Sequence, residues 1–162
     1  MRLTNCWARG ALGLVLLLAA SPLSRAQSSA GALSLGEVHT LAATRGQTSK
    51  QTLTLYLREG FHVNSNKPND DYLIPLKLTW DKGPVEAGAV EYPEPALEKS
   101  TFSDKPLSVY TGTFHLVTPF HTPANAVVGS ASITGKLHYQ ACNSHECLQP
   151  RTIEIKVPVE IR

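Results

Sequence analysis

The segment Thr52-Leu53-Thr54-Leu55-Tyr56-Leu57 alternates apolar and polar residues without a break. A two-residue period puts Leu53, Leu55 and Leu57 on one face and Thr52, Thr54 and Tyr56 on the other, as an extended strand with one buried side requires. The same signal returns along the chain with turn residues between, and no stretch carries a convincing helical period. Arg58-Glu59-Gly60 turns the first strand, and Asn64 to Asp71 is a polar loop whose Asn, Asp and Pro residues favour turns. Leu73 to Trp80 reads as a strand with Leu76, Leu78 and Trp80 in phase, and Pro75 marks an edge or a bulge. Asp81-Lys82-Gly83-Pro84 and Pro119 to Pro123 read as turns. Val85 to Tyr92, Leu107 to Val117, Ala126 to Tyr139 and Arg151 to Ile161 supply further strands, while Pro93 to Pro106 is the longest stretch without a strand pattern. About eight short strands with turns between them point to an all-β, antiparallel β-sandwich.

The connection between the last two strand regions holds Cys142 and Cys147, separated by the polar tetrapeptide Asn143-Ser144-His145-Glu146. Strands at Ala131 to Tyr139 and Arg151 to Ile161 put both thiols at the mouth of a hairpin-like connection, close enough to bond if the turn folds back. Closing so short a loop stabilises a fold by about 2 kcal/mol, against about 4.7 kcal/mol for a loop of about 100 residues. A structural staple gains more by joining distant strands, whereas a pair at a loop mouth is accessible to an incoming thiolate. An exchange-active dithiol is the leading reading, with an inert local disulfide and a metal site as the alternatives. His145 either favours a thiolate when protonated or is a solvated loop histidine. Cys142, His145, Cys147 and nearby His138 make a Cys2His2 set by residue type, but their spacing in a short turn does not aim four donors at one point. A hydrolase is less consistent still: the chain has no G-x-S-x-G elbow, and a cysteine with a partner cysteine in an oxidising compartment is usually bonded. Neither a metal nor an organic cofactor is expected.

Residues 1–26 read as an export signal. Arg2 and Arg9 precede the apolar run Ala11 to Ala20, and Ser24-Arg25-Ala26 offers small residues where a signal peptidase reads. The run is too short for a membrane span, and Cys6 precedes it, where a lipoprotein cysteine would follow. Residues 27–34 form a Ser/Ala/Gly-rich flexible lead-in, leaving 35–162 as one domain. Without the leader, Lys plus Arg falls from 15 to 12 against 13 acidic residues, so the net charge moves from +2 to about −1. That balance excludes the cationic footprint a nucleic-acid partner needs. Three cysteines become two, the even number expected of a bonded pair in an oxidising compartment. The mature chain is expected to be exported and soluble, with no membrane span.

Tyr139-Gln140-Ala141-Cys142, a short polar gap, and Cys147-Leu148-Gln149-Pro150 resemble the signature of the periplasmic N-terminal domain of DsbD, the thiol:disulfide interchange protein family. Gly60-Phe61-His62-Val63-Asn64-Ser65-Asn66-Lys67-Pro68 with Tyr72-Leu73-Ile74-Pro75, Val90-Glu91-Tyr92-Pro93, and Val109-Tyr110-Thr111-Gly112 are similar to that family's earlier strands, in family order. The resemblance implies an immunoglobulin-like sandwich in the periplasm that passes reducing equivalents to partner proteins. It implies that Cys147 attacks the partner and that Cys142 resolves the mixed disulfide. By position, Phe102 corresponds to the aromatic of a cap over the cysteines; the competing reading tucks it into the sandwich edge. His62 stands where relatives carry cleft aromatics; the competing reading is a half-exposed strand histidine. Tyr139 is read as a packing support. The implied partners are exported thioredoxin-like proteins, disulfide isomerases or cytochrome c maturation factors. One residue fewer separates the cysteines than in the best-known enteric member. The sequence also ends at Arg162 without the relative's transmembrane and thioredoxin domains, so the expectation is a stand-alone domain served by a separate membrane electron donor. A non-catalytic binding module with a structural local disulfide stays open as a second function class.

Overall fold

The computed structural model describes residues 31–99 and 105–162, and every regular element among them is a strand. The export signal expected over 1–26 and the cap residue Phe102 lie outside the described residues. In chain order the strands are β1 (Leu33–Leu35), β2 (Leu41–Ala43), β3 (Thr48–Leu57), β4 (His62–Asn64), β5 (Lys77–Trp80) and β6 (Glu86–Ala87). They continue as β7 (Ala96–Glu98), β8 (Leu107–Thr111), β9 (Thr113–His121), β10 (Gly129–Tyr139), β11 (Ala141–Cys142) and β12 (Arg151–Ile161). Three four-stranded sheets result, ordered β1-β3-β9-β6, β2-β12-β10-β5 and β11-β4-β8-β7. The first two are the layers of an immunoglobulin-like β-sandwich. Leu53, Leu55, Leu116 and Phe120 of one layer share a single buried cluster with Ile133, Leu137, Ile155 and Val157 of the other. Alternation along β3 delivers this: Leu53, Leu55 and Leu57 are buried, while Thr52 and Tyr56 are exposed. Each such side chain contributes roughly 1.5–3 kcal/mol through burial.

The third sheet forms where strands of both layers run on past a corner. β3 leads through Arg58-Glu59-Gly60-Phe61 into β4, and β10 leads through Gln140 into β11. The expected single strand Leu107 to Val117 divides at Gly112, whose φ of 59° lets β8 end in the third sheet and β9 begin in the first. β9 then runs through Pro119 to His121, where the sequence suggested a turn. Its proline is tolerated because the Pro119 carbonyl accepts from Gly88 N at 2.8 Å, so the missing N–H also faces the short β6 and not the β3 ladder.

Other expectations shift as well. Strands expected over Leu73 to Trp80 and Val85 to Tyr92 contract to β5 and β6, and β7 lies within the stretch that showed no strand pattern. Among the described residues the count is therefore twelve strands, where about eight were expected. β2 pairs with β12 in parallel, a local exception to the antiparallel arrangement. β5 does occupy a sheet edge, and the outward Leu78 N–H donates to the Tyr92 hydroxyl at 3.0 Å. The lead-in expected over 27–34 runs into structure: Ala32 and Leu33 are buried, and Leu33 to Leu35 pair with Leu57 to Leu55. Two apolar side chains in a small-residue run are enough to occupy a strand edge.

Gly135 and Trp80 face each other across β10 and β5, and a Cβ on Gly135 would fall 2.7 Å from the Trp80 ring. The indole then reaches Phe120, edge to face at 4.9 Å, and its Nε1 donates to Thr118 Oγ1 at 3.1 Å. Gly135→Ala is expected to displace the ring and to cost about 1–3 kcal/mol. A urea midpoint unchanged from the parent protein would refute that role for the glycine.

Candidate functional site

The site is built on the third sheet. Thr111 on β8, His62 on β4 and Cys142 on β11 lie directly opposite one another, so their side chains leave from one face. The alternating residues Val63, Tyr110 and Ala141 point the other way into the main core. Cys142, Leu107 and Val109 are buried but do not belong to that core cluster. The sheet thus anchors the first cysteine through its neighbours while keeping its side chain on the face away from the sandwich interior.

Cys142 pairs with Cys147 across an isolated antiparallel bridge, and the two sulfurs are bonded, with the Cα atoms 4.0 Å apart. The polar tetrapeptide folds as the sequence suggested. Asn143 Oδ1 accepts from the backbone N–H groups of His145 and Glu146 at 2.8 and 2.9 Å, and Asn143 N donates to Glu146 O at 2.9 Å. This Asx turn is the local reason the chain doubles back between the cysteines. Below it, Leu148 N donates to Ala141 O at 2.8 Å and Gln140 Nε2 to Leu148 O at 3.0 Å. The two cysteines are unequal: Cys142 is 3% exposed, whereas Cys147 is exposed.

The family of the thiol:disulfide interchange protein DsbD, N-terminal, matches residues 29–158. The chain belongs to this family. Among solved structures it is similar to the N-terminal periplasmic domain of ScsB from Proteus mirabilis, with a TM-score of 0.54 and 11% identity over 79% of this chain. It spans 45% of that ScsB chain, and the likeness shows the fold. It is also similar to the DsbD N-terminal domain of Neisseria meningitidis in the reduced form, with a TM-score of 0.47, 16% identity, and coverage of 73% of this chain and 82% of that one. No curated protein matches. Among the described residues, no helix is long and apolar enough to cross a membrane.

Around the disulfide of this DsbD N-terminal-type domain, the residues singled out from sequence occupy different places. His62 is half-buried beside Cys142, with Nδ1 3.8 Å from Glu98 Oε2. Tyr139 is buried opposite Arg151; burial raises its hydroxyl pKa, and Arg151 offsets part of that rise. His145 is exposed on the turn, its Nδ1 2.6 Å from Ser144 Oγ. His138 faces Thr152 at 3.0 Å. Both thiols are spent on each other, so the Cys2His2 set has no free sulfur ligand, and among the described residues no three His, Cys, Asp or Glu side chains gather as a metal site.

Within the family-like segment Gly60 to Pro68, Asn64, Ser65 and Asn66 form a polar brace for β4 and β8. Ser65 Oγ and Ser108 Oγ are 2.8 Å apart, Asn64 Nδ2 donates to Ile74 O at 3.0 Å, and the Tyr110 hydroxyl donates to Asn66 Oδ1 at 2.7 Å. Sequence reasoning missed Glu98 and Asn143. Asn143 was findable as an Asx residue opening a polar turn; Glu98 was not, because it stands 36 residues from His62 in the chain and meets it only in the folded domain.

Burial lowers the His62 pKa below 6.5, and the Glu98 carboxylate pulls it part of the way back. The unfolded chain therefore binds the proton more readily than the folded one. Stability from this group is complete above the unfolded value of about 6.5 and is lost as pH falls through the folded value. Ring-proton NMR should show His62 titrating below 6.5, and Glu98→Gln should move it further down. An upward move would mean that Glu98 does not act on this ring.

Proposed function

We propose that the domain exchanges disulfides with partner proteins through Cys142 and Cys147. The observation that carries the reading is the unequal exposure of two bonded cysteines: one an exposed residue on the turn, the other buried within the same hairpin. When the dithiol is reduced, the Cys147 thiolate attacks a partner disulfide and forms a mixed disulfide, expelling one partner thiolate. Cys142 then attacks Cys147, the Cys142–Cys147 bond closes, and the partner leaves with two electrons and both of its thiols. The domain acts in the periplasm after export, on thioredoxin-like proteins, disulfide isomerases or cytochrome c maturation factors, and a membrane electron donor returns it to the dithiol state. No metal or organic cofactor takes part.

An equilibrium titration against glutathione or dithiothreitol tests this. A potential between about −120 and −270 mV, the span of redox-active protein dithiols, is expected. A value below about −300 mV would make the bond a structural one resistant to the glutathione pool and leave a binding module.

A further inference from the structure

Leu148 and Gln149, which follow the exposed Cys147 directly, form one wall of a cavity of about 370 Å³. Ala32 and Ala141 add apolar lining, and besides Gln149 its polar residues are Tyr139, Arg58 and Arg151. The hydroxyl and the Arg151 guanidinium converge: a Cβ built on Gly31 would lie 3.2 Å from one and 3.5 Å from an Nη of the other. Arg58 is held by stacking over the Phe61 ring, 4.4 Å from its centroid. Among the described residues no carboxylate pairs with either arginine, although five ion pairs form elsewhere in the domain. Two cations, one of them stacked on an aromatic ring, and a hydroxyl around a small cavity suit one carboxylate, which guanidinium groups bind with matched geometry.

Resting on the exchange reading above, we infer that this cavity receives an Asp or Glu side chain of the partner polypeptide beside its reacting cysteine. The spacing supports a residue two positions away. Arg151 is four residues from Cys147, a span of at most about 14 Å. In an extended partner segment, side chains at i and i+2 share a face and lie about 7 Å apart at the backbone, so a Glu side chain covers the rest. The partner's sulfur meets Cys147 while its carboxylate enters between the arginines.

The test uses the oxidised protein and three extended peptide thiols that differ only two residues from cysteine, carrying Glu, Gln or Lys there. In the measured step the peptide thiolate attacks Cys147 Sγ, the Cys142–Cys147 bond breaks, Cys142 leaves as the thiolate, and one peptide is bound as a mixed disulfide. Acid quenching and alkylation give its rate. At low ionic strength the Glu peptide should react roughly two- to fivefold faster than the Gln peptide per unit of thiolate, and the Lys peptide slower than either. The preference should fade in high salt. Arg151→Gln or Arg58→Gln should bring the Glu/Gln ratio towards one, Arg151→Lys should keep part of it, and Lys50→Gln, at the far end of β3, should not change it. Equal rates for the three peptides, or a ratio untouched by both arginine changes, overturn the carboxylate site and leave exchange standing. Failure of every peptide to form a mixed disulfide removes the exchange reading and this inference with it. Mercaptopropionate, whose carboxylate stands only two carbons from its sulfur, should not be preferred over its amide; a preference of the same size would assign the cavity to small thiols instead.

Discussion

Cys142→Ser is expected to convert the domain into a trap that accumulates mixed disulfides through Cys147. Exchange has two steps, and only the second needs Cys142. In the parent protein that sulfur is bonded to Cys147 and held by the β11–β4 pairing, so resolution is intramolecular and the mixed species is short-lived. Removing it leaves only bimolecular thiols to cleave the adduct, and its lifetime should rise by at least on the order of a hundredfold. Incubation with a disulfide-bearing partner, alkylation, and intact-mass measurement should show an adduct that dithiothreitol releases. Cys147→Ser should show almost none, because the remaining Cys142 is 3% exposed. Capture by Cys147→Ser and not by Cys142→Ser would reverse the two roles.

Phe120→Ala is expected to cost about 3–5 kcal/mol, the largest loss from any single truncation considered. The ring is fully buried, lies on the central strand β9, and meets Trp80 across the two layers. A domain of this size has roughly 5–15 kcal/mol of stability in total, so the variant should sit near the edge of folding. Reducing the disulfide should cost only about 2 kcal/mol, because the loop it closes is so short. Urea unfolding of the oxidised, reduced and Phe120→Ala proteins should rank them in that order of decreasing stability. Such a ranking matters for function, since a domain that alternates between disulfide and dithiol must remain folded in both. A reduced form less stable than Phe120→Ala would mean that the bond, not the core, holds the sandwich together.

Much of the fold was legible because strand periodicity depends on near neighbours in sequence. Leu53, Leu55 and Leu57 could hardly be buried any other way, and β10 and β12 emerged close to their expected bounds. The misreadings share one cause. Pro119 was taken for a turn and Leu107 to Val117 for one strand, because a proline's tolerance and a glycine's corner depend on which strand lies alongside. β7 showed no pattern because Ala96 to Glu98 is held by its pairing with β8, not by its own sequence. In the site, the Asn143 turn was within reach of sequence, while the Glu98 contact with His62 was not.

Sequence alone determined a two-residue period with one buried face, a pair of cysteines on a short polar turn, and membership of a redox family, because each is written in adjacent residues. Tertiary structure alone decided which cysteine is exposed, which face of the third sheet carries Cys142, and that Arg58 and Arg151 line one cavity with Leu148 and Gln149. Burial and charge convergence are set by strands far apart in the chain, and no local pattern encodes the distance between them.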